Sequence, residues 1–143
     1  MSNIHRILAA TDLSPCATHA ETRAAMLASE LKCDALELLT VIDPRLPGAL
    51  ERMLKGTSGS AEASLAEHGK RELQKIALRL QGENGIDCHY HVEFGRPAIR
   101  IASKADEVAA DMIVVGAHGC KHISRFFVGN TPYKLLHIGK QHC

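Results

Sequence analysis

Four strand-like segments, separated by stretches with helical period, constrain this chain more than any other feature. Residues 4–10, Ala35–Ile42, 86–94 and 111–115 read as strands. Two of them, ALELLTVI and DMIVV, are almost continuously apolar, as strands covered on both faces must be. After the first strand, Ser14-Pro15 offers an N-cap and a proline suited to the first helical position. Ala17, Ala20, Ala24, Leu27, Ala28 and Leu31 then share a helical face, rich enough in alanine to approach a sheet closely. Asp43-Pro44 stops the second strand, and a Pro- and Gly-bearing loop follows, with a helical turn around 49–54. Residues 61–80 form a helix with Leu65, Gly69, Leu73, Ile76 and Leu80 on one face, ended by Gly82 and Gly85. Arg96-Pro97 opens another helix, which turns Ala98, Ile101, Ala102, Ala105, Val108 and Ala109 inward. After the fourth strand come a glycine-bounded loop, 116–129, and a last helix from Thr131-Pro132 to about Ile138. Such alternation predicts an α/β fold: an open parallel sheet with helices on both faces, Rossmann-like, in a single domain over 1–143.

Charge and cysteine usage narrow the function. The 17 Lys+Arg against 16 Asp+Glu give a net charge of +1, without the basic excess of a nucleic-acid or anionic-membrane binder. No apolar run is long enough to span a membrane, and the opening MSNIHRILAATD is too short and too polar at its end for a secretory signal. The 5 cysteines are odd in number, widely spaced and lack a C-x-x-C pair, which argues for a reducing cytoplasm and for small buried hydrophobes rather than a disulfide framework.

In an open parallel sheet, ligands bind beyond the carboxyl ends of the strands. Thr11-Asp12, Val41-Ile42-Asp43 and the loop GAHGCKHISRFFVGNTP from Gly116 emerge there. Gly116, Gly119 and Gly129 allow a close backbone approach, and the third glycine leads into a candidate helix start, where exposed N–H groups favour phosphate. From Met112 onward the chain has no Asp or Glu but carries Lys121, Arg125, Lys134 and Lys140, so this stretch holds +4 and the remainder −3. The loop is neither a Walker A motif nor a Rossmann fingerprint, because the first strand–helix turn contains no glycine.

The G-x2-G-x9-G spacing, with the A-T-D-L-S opening and the D-M-I-V-V-G strand, resembles the universal stress protein family over nearly the whole chain. The resemblance implies an adenine nucleotide alpha-hydrolase-like fold and binding of ATP, or of AMP or ADP. Asp12 would then sit near the ribose beside Thr11, and the main chain of Val41 would meet the adenine edge. Gly116, His118, Gly119, Gly129, Asn130 and Thr131 would lie around ribose and phosphates. The family's ATP-binding pattern has Ser or Thr after the third glycine. Here Asn130 stands there, able to cap a helix and donate through its amide but lacking a hydroxyl, which Thr131 can supply. The family fold also implies a fifth strand after the last helix. The sequence ends at Gln141-His142-Cys143, so on this reading the final edge strand is missing from the given chain.

Other polar groups read more plainly. His118, Cys120 and His122 are metal-ligand types without a fourth ligand nearby, so no protein-held metal is expected. His89 and His91 alternate with Tyr90 and share a strand face, as a solvent-facing or interface pair. Lys121 and Arg125 face phosphates or solvent equally well. Ser14 and Ser124 lie in no nucleophile elbow, and no nucleophile–base pair is identifiable. The expectation is a cytoplasmic, homodimeric stress or signalling module that binds an adenine nucleotide, with Mg²⁺ arriving on the phosphates. The alternatives are a dimeric interaction protein that has lost ATP binding, and an enzyme with at most weak ATP hydrolysis.

Overall fold

The computed structural model describes residues 4–13, 17–43, 61–116 and 134–138. Within them run β1 (Arg6–Ala10), α1 (Ala17–Glu30), β2 (Ala35–Ile42), α2 (Ala61–Asn84), β3 (Cys88–Phe94), α3 (Pro97–Glu107), β4 (Met112–Gly116) and β5 (Lys134–Ile138). All pairings are parallel, in the order β3-β2-β1-β4-β5. The chain therefore steps outward from β1 to β3, then returns across the sheet to β4 and β5. The reversal falls between β1 and β4, where an open α/β sheet leaves a crevice at its carboxyl edge.

Side-chain alternation divides the core in two. Ile7, Ala9, Leu36, Leu38 and Val114 meet Ala24, Ala25 and Ala28 of α1 and Leu73, Ala77 and Leu80 of α2 on one face. Leu8, Ala10, Leu39, Ile113 and Val115 meet Ala98, Ile101 and Ala105 of α3 on the other. Both faces are thus covered, which is why β1, β2 and β4 are apolar at nearly every position. A fully buried Leu or Ile contributes about 1.5–3 kcal/mol on leaving water. The alanine stripe of α1 brings that helix down onto β1, its flanks filled by Leu27 and Leu31.

Each helix ends on a left-handed residue. Lys32 (φ 56°) and Ala109 (φ 57°) close α1 and α3 in six-residue loops, with Cys33 N–H donating to Ala28 O at 2.9 Å and Ala110 N–H to Ala105 O at 2.8 Å. At the end of α2, Gly85 (φ 67°) occupies the corresponding place at no steric cost. Among the described residues no helix is long and apolar enough to cross a membrane. Cys33 and Cys88 are buried free thiols, and burial pushes Cys88 up to about 11, so it packs as a small hydrophobe.

One expectation is overturned. Lys134–Ile138, read from the sequence as the body of a last helix, is a strand paired residue for residue with β4, from Met112↔Lys134 to Gly116↔Ile138. The fifth strand that the sequence reading had missing is therefore present in the sheet. Five residues carry too few turns for periodicity to separate helix from strand, and the outer edge of β4 offers a row of unpaired ladder groups that decides the outcome. Residues 117–133 separate the two strands, more than the roughly dozen residues a parallel crossover requires.

Candidate functional site

Central strand β1 ends at Ala10, which lies opposite both Leu39 of β2 and Val115 of β4. One step on, Thr11 N–H still donates to Leu39 O at 2.8 Å, so the ladder holds the chain until it turns. Thr11 is buried, Asp12 is exposed, and Leu13 takes φ 65°. The Thr11 hydroxyl donates to Glu21 Oε2 at 2.5 Å and accepts the Leu13 N–H at 3.0 Å. It therefore faces into the molecule and works as a brace for the turn, leaving Asp12 as the outward group.

Glu21 lies on the buried face of α1 and is only 3% exposed. Its Oε1 stands 3.5 Å from Arg79 Nη2 of α2, while Arg79 Nη1 donates to Thr22 Oγ1 and to Glu83 Oε1, each at 3.2 Å. Burial raises the Glu21 carboxyl above its ordinary value. The Thr11 hydrogen bond and Arg79 act against that rise, and neighbouring Asp12 adds to it.

At the end of β2, Val41 is paired with Glu93 of β3, and its side chain packs against the cluster around Leu8, Leu39 and Ile101. Only its main chain is thus free for recognition. Gly116 is the last residue of β4. Thr11, Asp12, Val41 and Gly116 therefore gather at the carboxyl edge of three neighbouring strands. His118, Gly119, Gly129, Asn130 and Thr131 lie outside the described residues.

A second polar cluster occupies the α3 face. Glu37, in the middle of β2 and 2% exposed, receives His89 Nδ1 on Oε2 at 2.8 Å and His91 Nε2 on Oε1 at 2.7 Å, with Arg6 Nε at 3.8 Å. The two histidines do share a face, as their spacing requires, but they turn to this carboxylate rather than to solvent alone. Burial acts to raise Glu37, yet hydrogen bonds from His91 and His89 and their charge hold it below the usual range. Nearby, buried Lys104 of α3 pairs with Glu107 at 2.8 Å and Glu93 at 3.1 Å. Among the described residues, no group of three or more His, Cys, Asp or Glu side chains is placed to hold a metal ion.

Sequence reasoning missed the Glu21–Arg79 pair and, on the opposite face of the sheet, the buried Glu37. The signal was present for two of them: a carboxylate at a core position of the alanine stripe, and another inside the apolar run of β2.

The model of the universal stress protein family matches residues 3–141, and the chain belongs to that family. The Synechocystis universal stress protein Sll1388 is 32% identical over 65 residues, which span 46% of this chain and 42% of that protein. Hypothetical protein MJ0577 superposes with a TM-score of 0.76 at 21% identity, over 99% of this chain and 100% of its own. A universal stress protein in complex with cAMP gives 0.67 at 21% identity over 98% and 100%. The Archaeoglobus fulgidus universal stress protein in complex with dAMP gives 0.65 at 20% over 96% and 99%. At these identities the likeness is one of fold.

Proposed function

We propose that this protein binds an adenine nucleotide across the carboxyl ends of β1, β2 and β4 and acts as a cytoplasmic, homodimeric stress or signalling module. The observation that carries the reading is the convergence of outward Asp12, the Val41 main chain and Gly116 beside the sheet's reversal point. Asp12 suits the ribose, since an exposed carboxylate accepts from two vicinal hydroxyls. The Val41 main chain, just beyond it, suits the adenine edge. The glycine loop through Gly119, Gly129, Asn130 and Thr131 takes the phosphates in this reading, and Mg²⁺ enters with them, Asp12 being the carboxylate at hand. Solved family members in complex with cAMP and dAMP support the choice of adenine. Binding rather than turnover is the output, because the sequence offers no nucleophile–base pair.

Titration calorimetry of nucleotide-stripped protein tests the reading. AMP and ATP should both bind, and Asp12→Ala should weaken both by about tenfold, as loss of a charge-assisted hydrogen bond does. No heat at about 1 mM ATP, a concentration that reports affinities down to about −4 kcal/mol, overturns it. That outcome favours the second reading, an interaction module without nucleotide, for which Asn130 in place of Ser or Thr speaks.

A further inference from the structure

Glu21 is a buried carboxylate that nucleotide contact itself gives no role. It occupies a core position on a helix face otherwise made of Ala17, Ala20, Ala24, Ala25 and Ala28, and it is 3% exposed. Its Oε2 accepts a hydrogen bond from the Thr11 hydroxyl at 2.5 Å, and the same Thr11 oxygen accepts the Leu13 N–H at 3.0 Å. Leu13 holds φ 65°, a left-handed conformation that a leucine keeps only where its surroundings fix it. The residues on either side of Asp12 are thus tied to one group inside the molecule.

We propose that Glu21 is the positioning residue of this turn: from within α1 it fixes Thr11, and through Thr11 it fixes Leu13, so that Asp12 is presented beyond the sheet in one geometry. The effect on ligand binding rests on the nucleotide reading above. A turn already held loses little freedom when ligand arrives, so the brace converts directly into affinity. Arg79 of α2 extends the chain, since its guanidinium lies 3.5 Å from Glu21 Oε1 and also bonds Thr22 and Glu83. The charged groups around the Glu21 carboxyl are therefore Asp12 from the turn and Arg79 from α2, with Glu83 on the far side of the guanidinium. What Thr11 requires from position 21 is an acceptor, not a charge. Glutamine provides one and valine does not.

The test combines AMP titration with hydrogen exchange of the Leu13 amide in the whole chain. Glu21→Val should weaken AMP by about tenfold, the loss of one hydrogen bond to a charged group, and should speed Leu13 exchange. Its thermal midpoint should fall, because the buried Thr11 hydroxyl loses its acceptor and Arg79 loses a partner. Glu21→Gln should keep affinity within about threefold and leave Leu13 protected. Thr11→Val probes the same brace from its other end and serves if Glu21→Val does not fold. The double variant should bind no worse than Thr11→Val alone, since both changes break one chain. Wild-type affinity and exchange in Glu21→Val overturn the proposal, as does a Glu21→Gln variant damaged as badly as the valine one. If the wild-type protein binds no AMP, the nucleotide reading falls, and Leu13 exchange decides the brace: faster in valine but not glutamine sustains it, unchanged in both overturns it.

Discussion

A carboxylate inside a sheet is tolerated only when hydrogen bonds and opposite charge replace its lost water, and Glu37 has both. His89 and His91 close on its two oxygens, while Asp87 Oδ2 lies 3.2 Å from His89 Nε2. The hydrogen bond to Glu37 raises His89 above its ordinary 6.5, against the desolvation of its ring, with the charges of Glu37 and Asp87 adding to the rise. Glu37 is held below its ordinary 4.5. The signs then set a window. A raised histidine stabilises fully below its unfolded value and loses that contribution as pH rises through its folded value. A lowered carboxylate stabilises above its unfolded value and loses its contribution as pH falls through its folded one. The pair thus contributes most between about pH 4.5 and 6.5, the two ordinary values, and less as pH climbs through neutrality. Urea midpoints of the wild type and His89→Ala should differ most near pH 6 and draw together as pH rises above about 6.5; a gap constant with pH would mean that His89 acts by packing alone. The presence of charged residues in core patterns was legible in the sequence. Their partners were not, because Arg79 lies 58 residues from Glu21 and His89 lies 52 from Glu37, separations that only the tertiary fold closes.

At the level of elements, the pattern of strands and helices specified most of the sheet. Strands β1 to β4 and helices α1 to α3 fall within the segments that periodicity marks, with ends shifted by a few residues, because each is long or apolar enough to show its period. Strand β5 is the exception, since neighbouring β4 rather than its own five residues determines its state. Helix α2 shows how small residues set the spacing of the layers. A Cβ at Gly69 would stand 3.2 Å from Val92 Cγ2 and 3.5 Å from Thr40 Cγ2, so the helix meets β2 and β3 there backbone first. A Cβ at Gly82 would meet nothing within 4 Å. The two glycines of one helix should therefore respond oppositely. Gly69→Leu should lower stability by about 2 kcal/mol through overpacking. Gly82→Ala should raise it by up to about 1 kcal/mol through helix propensity. Denaturant midpoints at unchanged slope read both. Equal effects of the same sign would mean that α2 does not seat on the sheet at Gly69.

For the whole molecule, the near-zero net charge conceals a division along the chain. The +4 stretch begins at Met112, the first residue of β4, and the −3 remainder carries both Asp12 and Glu21. A nucleotide across the strand ends would join the two parts, with its nucleoside on the acidic side and its phosphates on the basic one. Its two ends should therefore respond differently to salt. Raising NaCl from about 0.1 to about 1 M shortens the screening length from about 10 Å to about 3 Å, which weakens exposed phosphate–cation attraction but not the burial of a neutral base. Adenosine affinity should stay level over that range while ATP affinity falls, so that the advantage of ATP over adenosine shrinks with salt. Titration of both ligands at the two salt concentrations, under matched Mg²⁺, measures that advantage directly. If ATP and adenosine weaken in parallel, the phosphates do not lie in the field of the basic stretch, and the charge division serves something other than nucleotide binding. If adenosine binds as well as ATP at every salt concentration, the Asp12 end of the site carries the affinity and the glycine loop adds nothing to it.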